Sequence, residues 1–413
     1  MKQGYLSQYF EGVALKHLSA VEADVNCSNQ HEFNGVGALR DILGEPPDGK
    51  VRFSAKFLYL TDQDDEPIVE DGFLTWYDSR QKARLERNVM RWEYRLYFPT
   101  NLVSQCAAEG DLLVIAKRSD DTLIAIVAEK DTTIERQLMW LFGFSDLTHP
   151  GFSVKSELET EQDRIGFAAQ VVLEQIGVEI EEEAPNFLDQ MLDRFNGSFP
   201  KTIEFSAYAR SSIQDLSSHD DPDTALIAWM EREEILFRTL EKHLLGEKLR
   251  NLTQSGIEDT EPFVKLVQSA LQRRKSRAGS ALENHLEQIF TDHGVTYTRT
   301  GVTERNLKPD FIFPLISNYH DMSFPQARLT MLASKSTCKD RWRQILNEAS
   351  RIPDKHLLTL EPSISENQTT EMKDERVQLV LPRGLHATYT VAQQSWLMDV
   401  ASFLELARLR QNP

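Results

Sequence analysis

The last third of the chain alternates short apolar runs with helical patterns, and this alternation most limits the folds open to it. Apolar runs typical of strands occupy residues 311–313, 329–334, 356–360 and 377–381. A helical pattern at 339–352 separates the second run from the third, and another extends from about 391 to 409. Strands that alternate with helices are typical of α/β domains. We therefore predict an α/β domain with a central mixed sheet.

Two polar residues stand at the ends of these predicted strands. Asp310 directly precedes the first run, and Lys335 follows the second. Such strand ends can place polar groups side by side at a sheet edge. A carboxylate and a lysine there suit phosphodiester hydrolysis, in which Mg²⁺ neutralises the phosphate and lowers the pKa of the attacking water. The lysine can orient that water or stabilise the developing charge. A turn-forming Asp310 and a solvated Lys335 are the alternative explanation of the spacing.

A second carboxylate is needed, because one carboxylate and one lysine hold Mg²⁺ poorly. The position two residues before the lysine, where such sites usually carry an acidic residue, is Ala333. Glu348 lies thirteen residues beyond Lys335 on the predicted helix. In an α-helix it shares a face with Arg341 and Ile345, and it can supply the missing carboxylate. A surface glutamate in an arginine-rich helix is the alternative.

The composition limits the classes of function. The 413 residues suffice for two or three domains, and the net charge of -18 is not that of a general nucleic-acid-binding protein. Any DNA binding must therefore depend on local basic clusters. Cys27, Cys106 and Cys338 lie far apart, so neither a zinc site nor a disulfide framework is predicted. No signal peptide or membrane span is predicted, and a reduced, cytoplasmic location is the expectation.

The first half of the chain has the pattern of a mainly-β domain. Runs rich in β-forming residues are separated by Asp- and Gly-rich turns, at residues 51–60, 73–77, 94–98, 112–116 and 122–127. This spacing predicts a small barrel or sandwich. Acidic clusters flank an amphipathic helix between 153 and 184, which we predict to be a linker. The predicted domains are therefore 1–152 and 185–413.

A cluster of charged residues in the first domain alternates along the chain. Lys82, Arg84 and Glu86 occupy every second position, and in a strand all three side chains share one face. Two donors beside one acceptor can read a G:C pair in the major groove. An exposed charged strand or loop is the alternative.

Several segments of the second half carry a specific resemblance. They are Gln272-Arg273-Arg274-Lys275-Ser276-Arg277-Ala278-Gly279, Glu283-Asn284-His285-Leu286-Glu287, Lys308-Pro309-Asp310-Phe311, Tyr319-His320-Asp321 and the run from Thr337 to Ala349. In these segments the chain resembles the catalytic domain of the EcoRII-type restriction endonucleases, over most of 185–413 and closely over 272–350. In that family the second carboxylate has moved from the strand to the helix, so Ala333 fits the family pattern.

This resemblance implies a restriction-endonuclease-like fold that cleaves double-stranded DNA with Mg²⁺. It implies that Asp310 and Glu348 bind the metal ion and that Lys335 acts in catalysis. Glu283, on the helix before the sheet, matches a further acidic position of the active site. Tyr319 matches a tyrosine near that site.

The same resemblance implies residues that recognise bases. Lys339, Asp340 and Arg341 match the triplet that reads the C:G pairs of a CC/GG half-site, and Arg343 lies just beyond them. The chemistry agrees, because Arg or Lys donates to guanine O6 and N7 while Asp accepts from cytosine N4. Arg277, in a basic run, is a further candidate for a contact with the DNA backbone or a central base. A solvated helix end is the alternative for that run.

A second resemblance covers about residues 10–140. Tyr77-Asp78-Ser79-Arg80, Lys82-x-Arg84-x-Glu86 and Arg91-Trp92 recur in the amino-terminal domain of EcoRII-type enzymes, as do Lys16-His17-Leu18-Ser19-Ala20 and a histidine at His31. That domain is a pseudobarrel that binds a further copy of the recognition site as an effector. The resemblance implies that Lys82, Arg84 and Glu86 read DNA, with Lys16 and His31 as lesser candidates.

Together these features predict a homodimeric type II restriction endonuclease that requires Mg²⁺ and cuts a short symmetric site with CC and GG half-sites. A dimer matches the two-fold symmetry of such a site. A nuclease of the same fold that cuts only modified DNA, and a DNA-binding regulator that does not cut, are the alternatives. The set of Asp310, Lys335 and Glu348 argues against the regulator, because a pure binding protein does not need it.

Overall fold

The protein, described here by a computed structural model, divides into two compact units. The structure describes residues 2, 4–23, 31–46, 49–63, 66–87, 91–147, 149–180, 184–254 and 260–411. The first unit comprises Met1–Ile180 and Pro362–Gln368, and the second comprises Glu181–Glu361 and Thr369–Pro413. The domain boundaries predicted from the sequence lie after residues 152 and 184, and they stay a prediction.

The first unit is built on one eight-stranded sheet. Its strands are β1 (Phe10–His17), β2 (Glu32–Phe33), β3 (Lys50–Leu60), β4 (Ile68–Asp78), β5 (Tyr94–Tyr97), β6 (Leu112–Arg118), β7 (Leu123–Ala128) and β8 (Ser153–Lys155). Their order is β2-β5-β4-β3-β7-β6-β1-β8. The paired neighbours are antiparallel except β3 and β7, which are parallel. The mainly-β architecture predicted for this half is confirmed.

The central strands of this sheet are buried on both faces. A strand covered on both faces needs apolar residues at consecutive positions, and β6 and β7 have them. Val114 belongs to one hydrophobic cluster, whereas the adjacent Leu113 belongs to another. The helices of this part of the chain are α1 (Ala20–Ala23), α2 (Arg40–Leu43), α3 (Gln81–Arg87), α4 (Leu102–Cys106), α5 (Thr133–Phe142) and α6 (Phe167–Gln175). The buried faces of α5 and α6 complete the cluster that contains Val114.

The second unit contains a five-stranded sheet. Its strands are β9 (Thr298–Arg299), β10 (Phe311–Phe313), β11 (Thr330–Lys335), β12 (Lys355–Thr359) and β13 (Val377–Val380). Strand β10 is antiparallel to β9 and β11, whereas β11, β12 and β13 are parallel to one another. The predicted central mixed sheet is confirmed.

Helices accompany this sheet, as expected for an α/β unit. They are α7 (Pro185–Arg194), α8 (Thr202–Ser211), α9 (Pro222–Gln254), α10 (Glu261–Asp292), α11 (Ile316–His320), α12 (Glu366–Asp374), α13 (Val391–Gln394) and α14 (Val400–Gln411). A separate aromatic-rich cluster packs α7, α8 and α9 together. Within the described ranges, no helix combines the length and the apolar character that a membrane crossing requires.

His356 gives the second unit a predictable dependence on pH. It lies in β12, is 3% exposed and packs its ring against Phe403 with centroids 5.3 Å apart. Burial, together with the charge of Arg410, lowers the pKa of His356 from 6.5 to about 4. The unfolded chain therefore binds a proton at a higher pH than the folded chain does. The resulting contribution to stability is present above pH 6.5 and is lost as the pH falls toward 4.

Replacing His356 by glutamine should make the stability of the protein less dependent on pH. We expect the wild-type chain to lose on the order of 3 kcal/mol more than His356→Gln between neutral pH and about pH 4. Thermal unfolding midpoints measured across that range would show it as a shallower slope for the variant. Parallel slopes would mean that another group carries the dependence.

Candidate active site

Asp310 and Lys335 meet where β10 and β11 pair. The register places Phe311 opposite Leu332, so Asp310, one residue earlier, lies near the end of β11. Lys335 Nζ donates to Asp310 Oδ2 at 3.0 Å, and the main-chain N–H of Ser334 donates to the same oxygen at 2.8 Å. The structure thus brings together the carboxylate and the lysine that the sequence singles out.

The Glu348 carboxyl group interacts electrostatically with both of these residues. Burial raises the pKa of its carboxyl group, and the negative charge of Asp310 raises it further, whereas the charges of Lys335 and Lys355 act in the opposite direction. A carboxyl group that responds to Asp310 and Lys335 in this way lies close to both. Three of the predicted catalytic residues therefore converge at one edge of the sheet.

The secondary structure of the segment that leads to Glu348 differs from the prediction. An α-helix over 339–352 is predicted, but the structure has a 3-10 helix at Lys339–Asn347, and the backbone of the next residue, Glu348, is extended. The prediction that Arg341, Ile345 and Glu348 share an α-helical face is therefore wrong. The chain turns directly after Glu348, where Ala349 has a positive φ of 45°. Two main-chain carbonyls of this turn accept hydrogen bonds from Lys355.

The two carboxylates fit a divalent metal ion. Within the described ranges, the hydrogen bonds that Asp310 accepts on its side chain all reach Oδ2, so Oδ1 is left for another partner. The half-buried Glu348 carboxylate accepts none from the described residues. Two neighbouring carboxylates repel each other, and a cation between them removes that repulsion. No group of three or more His, Cys, Asp or Glu side chains in the described ranges could hold a metal ion, but Mg²⁺ commonly uses one or two carboxylates with water and phosphate oxygens.

Glu283 lies on α10 and is held by an arginine of the sheet. The guanidinium of Arg299, in β9, donates to Glu283 Oε2 at 2.8 Å and 3.1 Å. The same guanidinium bonds to Asn284 and Glu287, each at 2.9 Å. In this conformation Glu283 thus joins α10 to the edge of the sheet. Its role in the active site stays a prediction.

Tyr319 is buried and bonded to a glutamate that the sequence does not single out. Its hydroxyl donates to the carboxylate of Glu304 at 2.6 Å, and it accepts from the main-chain N–H of Arg351 at 3.3 Å. Burial raises the pKa of Tyr319, and the bond to Glu304 adds to the increase. Ser350 N–H also donates to Glu304, at 3.3 Å. Tyr319 and Glu304 therefore brace the residues that directly follow Glu348 and Ala349.

The candidate base-reading residues lie on the 3-10 helix Lys339–Asn347. The side chains of Lys339 and Asp340 lie outside what the structure describes. Arg341 and Arg343 are exposed, and Arg343 forms an ion pair with Glu371 of α12. This 3-10 helix is the next element of the chain after β11, the strand that ends at Lys335.

Arg277 lies on α10, but it points into the protein. It is 5% exposed, and its guanidinium is paired with Glu233 and Glu234 of α9. Glu233 Oε2 also lies 3.0 Å from His285 Nε2. In this conformation Arg277 joins two long helices, and a contact with DNA would require those ion pairs to break.

The charged cluster of the first unit is helical and not extended. Gln81–Arg87 forms α3, so the prediction that Lys82, Arg84 and Glu86 share one face of a strand is wrong. Successive residues of a helix turn by about 100°, which separates Arg84 from the other two. Lys82 and Glu86 lie one turn apart on an exposed face, at 3.9 Å. Arg84 instead pairs with Asp78 and stacks over the ring of Trp92, 3.4 Å from its centroid.

Lys16 and His31, the lesser candidates for DNA contacts in the first unit, are less exposed than Lys82 and Glu86. Lys16, in β1, is 1% exposed and donates to both carboxylate oxygens of Glu22, at 2.7 Å and 2.9 Å. His31 is half-buried, with its ring edge-on to Tyr97 and Phe98. Lys16 therefore has a structural partner in this conformation, and DNA contacts by both residues stay a prediction.

Three residues of the candidate site are not predicted from the sequence: Lys355, Glu304 and Arg299. Lys355 gives no signal in the sequence, because lysine side chains are rarely buried and this one is 5% exposed. Glu304 and Arg299 give none either, because their partners Tyr319 and Glu283 lie 15 and 16 residues away in the sequence.

Comparison with known proteins identifies the family that this chain matches in sequence. Residues 237–404 match the family model described as EcoRII C terminal. The type II restriction enzyme EcoRII of Escherichia coli is 33% identical over 333 residues, which is 80% of this chain and 77% of that enzyme.

Among solved structures, metal-depleted Ecl18kI in complex with uncleaved, modified DNA has a TM-score of 0.44 at 18% identity, covering 56% of this chain and 87% of that chain. A PspGI–substrate DNA complex has a TM-score of 0.40 at 14% identity, covering 55% of this chain and 92% of that chain. The sequence match to EcoRII extends over more than three quarters of both proteins. The chain therefore belongs to the EcoRII family of type II restriction endonucleases, which are site-specific deoxyribonucleases.

Proposed function

We propose that the protein makes Mg²⁺-dependent double-strand cuts in DNA at a short symmetric site with CC and GG half-sites. The observation that supports this most strongly is the convergence of Asp310, Lys335 and Glu348 at one sheet edge. The 3-10 helix that carries Lys339, Asp340 and Arg341 begins four residues after Lys335. Cleavage and base recognition would then be built on one continuous segment.

Each side chain has a distinct part in the proposed cleavage. A divalent metal ion, when bound, supplies positive charge to the scissile phosphate and lowers the pKa of the attacking water. Asp310 Oδ1 and the Glu348 carboxylate would hold it. Lys335, fixed by Asp310 Oδ2, would orient the water and stabilise the negative charge that develops on the phosphate. Asp310 thus serves two partners with its two oxygens.

Base recognition would follow from donors and an acceptor at adjacent positions. Lys339 and Arg341 can donate to guanine O6 and N7, and Asp340 can accept from cytosine N4. Arg343, now paired with Glu371, is a further donor near this helix. Two copies of the protein would present two such helices to the two halves of a symmetric site, which supports a homodimer.

The first unit would bind a further copy of the site as an effector. The exposed face of α3 supports this proposal best, because Lys82 and Glu86 are both accessible there. Arg84 is less informative as a test residue, because alanine at this position would also remove its contacts with Asp78 and Trp92.

Lys82→Ala should weaken binding of the effector copy and lower its salt dependence. If Lys82 contacts one phosphate, the slope of log affinity against log salt should fall by about 1. The measurement is a salt titration of DNA binding by the full chain. Lys56→Ala, which removes an exposed lysine of β3, is the matched control. Equal slopes for wild type and Lys82→Ala would remove Lys82 from the DNA contact.

Digestion of a phage genome of known sequence would test the proposed function as a whole. With Mg²⁺, we expect every end to map to one short symmetric sequence that contains CC and GG. Cutting of methylated but not unmethylated DNA would favour the modification-dependent nuclease. Sequence-specific binding without any cutting would favour the DNA-binding regulator.

A further inference from the structure

A second lysine, Lys355, contacts the turn that carries Glu348. Its main chain is fixed at the start of β12, where its N–H donates to the carbonyl of Arg376 at 3.0 Å. Its side chain is buried, and Nζ donates to the carbonyl of Ala349 at 2.8 Å and to that of Glu348. A buried ammonium group needs acceptors, and these two carbonyls provide them.

The turn that accepts these bonds has an unfavourable backbone conformation. Ala349 has a φ of 45°, in the left-handed region that a residue with a Cβ rarely adopts. The carbonyl of Ala349 also accepts from the N–H of Ile352 at 2.8 Å. Such a turn persists only when its surroundings hold it. The Lys355 ammonium group binds the carbonyl of Glu348, which precedes Ala349, and the carbonyl of Ala349 itself. It therefore holds the turn on both sides of this residue.

We propose that Lys355 is a positioning residue for metal binding. By holding the carbonyl oxygens of Glu348 and Ala349, it keeps the Glu348 carboxylate directed toward Asp310. This proposal rests on the proposed function, in which Glu348 and Asp310 share a metal ion. Lys355 differs in this from Lys335, which donates to the Asp310 carboxylate itself.

The charged groups around Lys355 support this positioning role. The negative charges of Glu348 and Glu304 favour the charged form of Lys355, which donates to the two carbonyls. Glu304 also accepts the N–H of Ser350, at 3.3 Å. The turn is therefore held by Lys355 through its carbonyls and by Glu304 through an N–H group.

Lys355→Met in the full chain tests the proposal, because methionine is unbranched and of similar length but has no donor. We expect the Mg²⁺ concentration for half-maximal single-turnover cleavage to rise about tenfold or more, with the rate at saturating Mg²⁺ nearly restored. Amide hydrogen exchange, measured without metal or DNA, should become at least about tenfold faster in peptides spanning 348–352, because the turn opens more readily. Peptides from β11 and β12 should exchange as in the wild type. Lys373→Met, at an exposed position of α12, is the control.

Two further variants keep the test decisive. Lys355→Gln retains a polar group but is too short to reach both carbonyls, and it carries the same expectation if Lys355→Met does not fold. Ala349→Gly, added to Lys355→Met, should recover part of the Mg²⁺ affinity, because glycine adopts a positive φ without the steric cost. This recovery should be accompanied by slower exchange in 348–352 and by no change in the exchange of β11 and β12.

The outcomes separate this proposal from the proposed function. Wild-type Mg²⁺ dependence and local exchange in both Lys355 variants would overturn the positioning role. Faster exchange throughout β11 and β12 would also contradict it, because the effect would then be global. Glu348→Gln, assayed in parallel, tests the function itself: if it cuts like the wild type, the metal site is wrong. If it is inactive while the Lys355 variants behave normally, only the role of Lys355 fails.

Discussion

Lys335→Ala is expected to lower the single-turnover cleavage rate by about 10³-fold or more while changing site-specific DNA binding by less than about tenfold. The Lys335 ammonium lies 3.0 Å from Asp310 Oδ2, beside the place where the two carboxylates converge. The negative charge that develops on the phosphate in the transition state would lose the cation proposed to stabilise it. Binding should persist because the residues proposed to read bases lie on the helix that follows.

The control must show that loss of a positive charge alone is not responsible. Lys373→Ala removes an exposed lysine from the same unit and should cut at the wild-type rate. Binding is measured in EDTA, so that cleavage does not consume the DNA. Wild-type cleavage by Lys335→Ala would remove Lys335 from the mechanism. An equal loss of binding and cleavage would instead make it a DNA-binding residue.

Glu348→Gln is expected to reduce cleavage at a fixed Mg²⁺ concentration by about 10²-fold to 10³-fold. The substitution keeps the size of the side chain but removes a negative charge that would hold the metal ion opposite Asp310. Higher Mg²⁺ should recover part of the rate, since Asp310 remains as a ligand. Single-turnover rates measured over a range of Mg²⁺ concentrations distinguish weaker metal binding from slower chemistry.

Glu375→Gln, at an exposed position after α12, is the matched control for this substitution and should leave the Mg²⁺ dependence unchanged. An unchanged Mg²⁺ dependence in Glu348→Gln itself would contradict a ligand at this position. The second carboxylate would then have to come from elsewhere, and Glu283, now held by Arg299, would be the next residue to test.

The sheet of the second unit was predictable because its strands are encoded locally. Phe311, Ile312 and Phe313 are all buried, as a continuous apolar run indicates for an interior strand. Asp310 and Lys335 could be placed at strand ends for the same reason. Their 3.0 Å contact depends on the pairing of β10 and β11, and strands that follow one another in the sequence usually lie side by side.

The path to Glu348 could not be predicted from the sequence. A 3-10 helix rarely runs beyond three or four residues, so a nine-residue amphipathic segment predicts an α-helix, but here the 3-10 form occurs. The residues that fix the end of this helix lie elsewhere in the sequence, one before the helix and one after it. Lys355 binds the carbonyls of the turn, and Glu304 binds an N–H group of it. Local periodicity carries no information about such partners.

Several charged residues illustrate a related limit. The resemblance implies DNA contacts for Lys16 and Arg277, but each is buried against glutamates in this structure. The alternation of charges predicts a strand at Arg84, whereas this residue lies on α3 and stacks on Trp92. The residue type predicts what chemistry a side chain can perform. Whether the side chain is exposed to perform it depends on partners that only the tertiary structure identifies.

A double-mutant cycle on Asp310 and Glu348 tests the central claim most directly. Single-turnover cleavage is measured over a range of Mg²⁺ concentrations for wild type, Asp310→Asn, Glu348→Gln and the double variant. If both carboxylates hold one metal ion, the double variant should lose little more activity than the more damaging single variant, because groups that act as a unit are not additive. Losses that simply multiply, with unchanged Mg²⁺ dependence in each variant, would contradict a shared metal site.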